Sequence, residues 1–238
     1  LITNNPLPME DLNILATQLN LKFTDIKLLQ QAMVHRSYLN EHPSFPLGHN
    51  ERLEFLGDAV LEIIVTEYLY NRFPNESEGV MTDWRASLVN AKTLADVATE
   101  LKLEDYLYLS KGEAKDKNTK ARQYILANSV ESVIGAIYLD QGLEVAKVFI
   151  TNNIISKLDY ILENALYQDP KSKFQEKAQE VYNITPHYEV IREFGPDHDK
   201  TFEVGAYIKD KLVATGSGSS KHEAQVDADA KGLKKNDW

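Results

Sequence analysis

The spacing of apolar side chains changes beyond a boundary at Asp169-Pro170, and that change constrains the fold more than any other feature. Up to about residue 165, apolar residues recur every three or four positions, the interval that places them on one face of an α-helix. After Pro186 they alternate. His187, Glu189, Ile191 and Glu193 face Tyr188, Val190 and Arg192, and later Phe202, Val204, Ala206 and Ile208 share one side of a second run. Alternation of this kind marks half-buried strands.

The helical part divides at its breakers. Amphipathic helices are expected over 9–19 and 25–33, followed by a loop over 40–48 that holds Pro43, Pro46 and Gly48. A long helix begins near His49 and runs to about Phe73, where Pro74 stops it. Glu78-Gly79 is expected in the next connection, with helices capped by Thr82 and Thr93 beyond it. The lysine-rich stretch 111–122 reads as an exposed loop. Helices follow over 123–139 and 143–166, broken by Gly142. The second part reads as a helix over 173–182, strands over 186–193, 201–208 and 212–215, and a helix from Lys221. The expected architecture is an all-α domain over 1–166, a flexible linker over 167–171, and a small α+β domain of α-β-β-β-α order over 172–238.

Composition removes several function classes. The 238 residues are 43% hydrophobic, enough for a substantial core, and include no Cys. Disulfides, thiolate metal sites and cysteine nucleophiles are therefore excluded, which fits a reducing, cytoplasmic setting. No apolar run approaches the roughly 20 residues that span a bilayer, so no membrane partner is expected. Residues 1–6 lack the regions of a signal peptide, and without an initiator Met the chain is expected to be processed or trimmed. The net charge of −10 argues against a simple basic glove for nucleic acid, but it is uneven. Residues 1–170 hold 15 Lys+Arg against 24 Asp+Glu, and residues 171–238 hold 11 against 12.

Much of the excess acid lies on the helix that starts near His49. Leu53, Leu56, Val60, Ile63 and Ile64 fall on one side of it, and Glu51, Glu54, Asp58 and Glu62 fall on another. Like charges at intervals of three and four repel by a few tenths of a kcal/mol per pair. Taken alone, the stripe has two readings: a solvated acidic face, or a site for hard cations, which prefer oxygen ligands. The helix over 123–139 repeats the ambiguity. Asn128 and Glu131 share a face, and Gly135 extends it without a side chain, which leaves room for another helix or a substrate.

Together the two helices resemble one family. The ten residues His49-Asn50-Glu51-Arg52-Leu53-Glu54-Phe55-Leu56-Gly57-Asp58 are similar to the signature of ribonuclease III. The stretch from Leu126 to Asp140 looks like that family's second catalytic helix. His35-Arg36-Ser37 and Arg85-Ala86-Ser87-Leu88-Val89 match further segments, and the C-terminal module is similar to a double-stranded-RNA-binding domain. The resemblance implies a Mg2+-dependent endoribonuclease, with Mn2+ as a possible substitute, that hydrolyses double-stranded RNA to 5′-phosphate and 3′-hydroxyl ends. It implies metal ligation by Glu54, Asp58, Asn128 and Glu131, with Asp58 and Glu131 central to catalysis and Glu51 and Glu78 in support. Glu62 has no counterpart in the pattern and is expected to be a solvated extra charge. The resemblance also implies a homodimer, with Phe55 inserting into the second subunit.

For RNA binding the resemblance points to Gln175, Glu176, His198, Lys221 and His222. A-form duplexes are read through 2′-hydroxyls and phosphates rather than base sequence. The basic cluster is thin, because Asp227 and Asp229 oppose it. Lys115, Lys117, Lys120 and Arg122 are candidates for added contacts. One position departs from the family pattern: Asn128 stands where Asp is most common. An amide oxygen still ligates but brings no charge. A second reading therefore stays open, a duplex-RNA-binding regulator that does not cleave.

Overall fold

The computed structural model describes residues 9–117, 119–167, 169–196, 200–236 and 238. The chain forms two compact units that meet in sequence after Tyr167. The first is helical: α1 (Met9–Gln18), α2 (Ile26–Ala32), α3 (Arg36–Glu41), α4 (Glu51–Arg72), α5 (Glu78–Val89), α6 (Ala91–Glu100), α7 (Lys111–Lys115), α8 (Lys120–Asn153) and α9 (Leu158–Glu163). Among the described residues no helix is long and apolar enough to cross a membrane.

Several boundaries differ from the sequence expectation, and capping explains most of them. The chain enters the expected 40–48 loop as a short helix, α3, whose N-cap His35 accepts from the Ser37 amide. Ser77, not Thr82, caps α5 by accepting from the Val80 amide, so the helix starts at Glu78, where an acid suits the positive end of the dipole. Asn90 caps α6 in the same way, by accepting from the Thr93 amide at 2.9 Å. The expected loop over 111–122 contains α7 and the first turn of α8, with Ser110 and Thr119 as caps. Gly142, at φ +81°, kinks α8 without ending it, a conformation that costs glycine little. The expected 143–166 helix is split at Asn153, whose amide donates back to the Phe149 carbonyl at 2.7 Å. A 3-10 turn at Ile155–Lys157 and α9 follow.

The core of this unit is built around α4 and α8. Leu61, Val65, Val130, Val133, Ile134 and Ile137 are wholly buried between neighbouring helices. Asp140, on α8, accepts from the Thr24 and Asp25 amides, both at 2.8 Å, and so anchors the start of α2.

The second unit comprises α10 (Pro170–Tyr182), β1 (His187–Phe194), β2 (Thr201–Ile208), β3 (Lys211–Gly218) and α11 (Lys221–Asn236). Asp169 caps α10 and Pro170 occupies its first turn, where a missing N–H costs nothing. The sheet is antiparallel in the order β1-β2-β3. Phe174, Ala178, Ala206, Ile208, Val213, Ala228 and Leu233 fill the space between helices and sheet. A register shift between Val190 and Arg192 interrupts the expected alternation at Ile191. β3 runs three residues past Thr215 because glycine there lets α11 approach. A Cβ on Gly216 would lie 2.2 Å from the Ala228 nitrogen.

Candidate active site and nucleic-acid interface

The candidate site exists because α4 and α8 cross with no side chain between them. A Cβ on Gly57 would stand 1.7 Å from the Glu131 carbonyl oxygen, and one on Gly135 would stand 2.2 Å from that of Leu53. Both distances are far below van der Waals contact, so only glycine permits this approach. Glu54 and Asp58 flank Gly57 on α4, while Glu131 and Asn128 lie one and two turns before Gly135 on α8. The crossing brings these four side chains to one place.

Their electrostatics reflect crowding. Burial pushes the Glu131 carboxyl up to about 8, reinforced by the charges of Asp58, Glu54 and Glu62. Glu54 is raised for the same reasons, burial first and then Glu51, with a hydrogen bond from Asn128 pulling the other way and Asp58 adding to the rise. Among the described residues, no base forms an ion pair with Glu54, Asp58 or Glu131. The donor set is three carboxylates and an amide carbonyl, all oxygen, which suits a hard cation such as Mg2+. No three His, Cys, Asp or Glu side chains among the described residues are drawn closely enough to hold an ion as they stand. The fit is one of chemistry and placement, and the carboxylates would have to close around the ion.

The remaining acidic residues divide. Glu51 is exposed and lies 3.6 Å from Arg36 and 3.7 Å from His49. Glu78 opens α5 in an exposed position. Glu62 corrects the expectation of a solvated extra charge. It pairs with Arg85 at 3.1 Å, and its charge reaches Glu131.

The apolar residues of α4 also divide. Ile63, expected on the packing face, is instead 62% exposed, with Phe55 at 81% and Tyr70 at 70%. Spaced seven or eight residues apart, the three form an outward apolar stripe beside the acidic one.

Arg122 is a further correction. It is buried, donating to the Glu113 carbonyl at 2.8 Å with Glu104 at 3.7 Å, so it supports the α7–α8 turn instead of facing a ligand. Lys115, Lys117 and Lys120 are exposed.

In the second unit, Gln175 reaches the Tyr188 hydroxyl and Glu176 is exposed. Lys221 lies 3.7 Å from Glu193 and 5.8 Å from the centre of the Phe202 ring, and His222 is exposed. His198 lies outside the described residues. The two aspartates read as opposing charges have structural partners. Asp227 accepts from the Ser217 amide and from Lys231, at 2.8 and 2.7 Å. Asp229 is completely buried and accepts from the Tyr188 hydroxyl at 2.8 and 3.0 Å. The available signal was its helical neighbourhood, with Val226, Gly232 and Leu233 three or four positions away on the same face.

Comparison with known proteins places both units. Residues 25–158 match the family described as ribonuclease-III-like, and residues 170–235 match the double-stranded RNA binding motif. The fold and site thus define a two-part class, a ribonuclease-III-like helical domain followed by a duplex-RNA-binding module. Ribonuclease 3 of Carboxydothermus hydrogenoformans is 44% identical over 224 residues, covering 94% of this chain and 95% of that protein. Ribonuclease 3 of Desulforamulus reducens is 43% identical over 219 residues, covering 92% and 89%. A solved nuclease domain of ribonuclease III from Campylobacter jejuni aligns at 39% identity with a TM-score of 0.51, covering 58% of this chain and 95% of that one. The chain belongs to the ribonuclease III family.

Proposed function

We propose that this family member is a Mg2+-dependent endoribonuclease that hydrolyses double-stranded RNA, leaving 5′-phosphate and 3′-hydroxyl ends. The observation that carries the reading is the apposition of Glu54 and Asp58 with Asn128 and Glu131 across the Gly57–Gly135 contact. These four would hold Mg2+, or Mn2+ in its place. A bound ion supplies a water of lowered pKa and offsets charge on the leaving oxygen.

The protein's own part is to place donors and manage protons. Asn128 contributes a neutral oxygen and orients Glu54. Asp58 and Glu131 are the central acids. The crowding that raises Glu131 favours its protonated form near neutrality, and a bound cation would favour the carboxylate. Glu51 and Glu78 act in support, orienting water or the RNA backbone.

The second unit holds the duplex by shape. Gln175 and Glu176 meet ribose and base edges, His198 enters a neighbouring minor groove, and Lys221 and His222 face phosphates at the start of α11. The exposed stripe of Phe55, Ile63 and Tyr70 supports a homodimer in which Phe55 is covered by a second copy, so that two sites act on the two strands. The solved Campylobacter jejuni domain is described as having a region involved in dimer formation.

The test is incubation of a labelled RNA duplex with the full chain, with Mg2+ or with chelator, beside Asp58→Asn and Glu131→Gln variants. Cleavage that needs the ion and both acids is expected. Protein that binds the duplex but never cuts it at any Mg2+ concentration would overturn the enzyme reading in favour of a binding regulator.

A further inference from the structure

Beyond Arg36 at Glu51, a second arginine is built against the acidic stripe of α4 without touching the proposed ligands. Arg85, on α5, places its Nε 3.1 Å from the Glu62 carboxylate and donates through Nη1 to the Thr66 hydroxyl at 3.0 Å. Two contacts from one guanidinium to successive turns of α4 fix where its charge sits. Glu62 stands one turn beyond Asp58, and its charge acts on Glu131 across the helix crossing. Glu62 therefore belongs to the field of the site, while Arg85 balances its charge.

We infer that Arg85, acting through Glu62, sets the affinity of the α4–α8 site for divalent cations. The inference rests on the proposed reading of that site as a metal centre and adds a positioning pair to it. Glu62 is an outlying carboxylate that strengthens the local negative potential, and Arg85 both orients it and limits its effect. With Asn128 supplying no charge, the balance of this pair weighs more on the site than it would beside four acids. Charges at such separations act partly through solvent, so each is worth several-fold in ion affinity, on the order of three- to tenfold.

The experiment measures Mn2+ binding by electron paramagnetic resonance on chelator-stripped full chain, without RNA, with thermal melting to verify folding. Arg85→Gln, which leaves Glu62 unbalanced, binds Mn2+ about three- to tenfold more tightly than wild type. Glu62→Gln, which leaves Arg85 unbalanced, binds more weakly by a similar factor. The double variant returns to near wild type, and Arg85→Lys, which keeps the charge, stays there. Raising the ionic strength shrinks these differences, which a purely structural effect would not do. Folded variants that all bind with wild-type affinity overturn this inference alone. Wild-type protein that takes up no Mn2+ overturns the reading of the site beneath it.

Discussion

Replacing Gly57 with alanine is the most direct perturbation of the helix crossing. The added methyl would sit 1.7 Å from the Glu131 carbonyl oxygen, 2.6 Å from its carbon and 2.9 Å from the Gly135 nitrogen. Carbon–oxygen contacts relax only near 3.5 Å, so the backbones must part locally by roughly 1.5 Å or more. All three obstacles are main chain, and no rotamer change relieves them. Overpacking a core costs about 1–3 kcal/mol, and a backbone clash belongs at or above the upper end. For a unit of this size, about 3 kcal/mol lowers Tm by roughly 6–12 °C. The functional loss should exceed the stability loss, because displacing catalytic groups by about 1 Å can cost about a hundredfold in rate. The assay pairs thermal melting with single-turnover cleavage of duplex RNA, carried out well below the variant's Tm. Gly112→Ala serves as the control, since a Cβ there meets only the Ser110 hydroxyl at 3.9 Å. A Gly57→Ala protein with wild-type Tm and cleavage rate would refute the role assigned to the crossing.

Three further outcomes follow from the same geometry. Asn128→Asp adds a charge beside Glu54 and Glu131, and a Mg2+ titration of cleavage should show a lower half-saturating concentration; an unchanged midpoint would mean that Asn128 is not at the ion. Phe55→Glu should leave the stability of the chain within about 1 kcal/mol of wild type, because the side chain is 81% exposed, yet shift sedimentation towards a monomer. Asp229→Asn should stabilise the second unit at pH 8. Burial holds the Asp229 carboxyl at about 7 against an ordinary 3.8, so the folded state keeps a proton that the unfolded chain releases. Stability therefore falls as pH rises from about 4 to 7, by at most about 4 kcal/mol, and stays lowered above that. The substituted amide would retain an acceptor for Tyr188 without the charge. Urea unfolding followed by Trp238, which packs on Phe174, in a Trp84→Phe background should show the gain at pH 8 and its disappearance near pH 4.

The large features were legible because they depend on local chemistry. Pro74 and the acidic first turn bracket α4, and the alternation after Pro186 identifies the sheet. Glu54, Asp58, Asn128 and Glu131 could be grouped because helical spacing puts each pair on one face. What escaped depends on the partner that a face meets. Ile63 repeats at the right interval for the core, but the Gly57 crossing rotates the buried face towards Leu61 and Ile64 and leaves Ile63 outside. Glu62 looked solvated because its partner, Arg85, is 23 positions away on another helix. Arg122 looked exposed among lysines, and only the packing of the α7–α8 turn encloses it.

Between Ile125 and Ile137, every residue of α8 is buried except Asn128 and Glu131, which are half-buried. Backbone amides in such a segment exchange with solvent only when the whole unit opens, so their protection should report the global unfolding free energy. Half of the candidate site thus rides on a segment expected to be among the slowest to exchange in the first unit. The backbone beneath Asn128 and Glu131 needs no ordering when an ion arrives, and local fraying cannot scatter the two donors it carries.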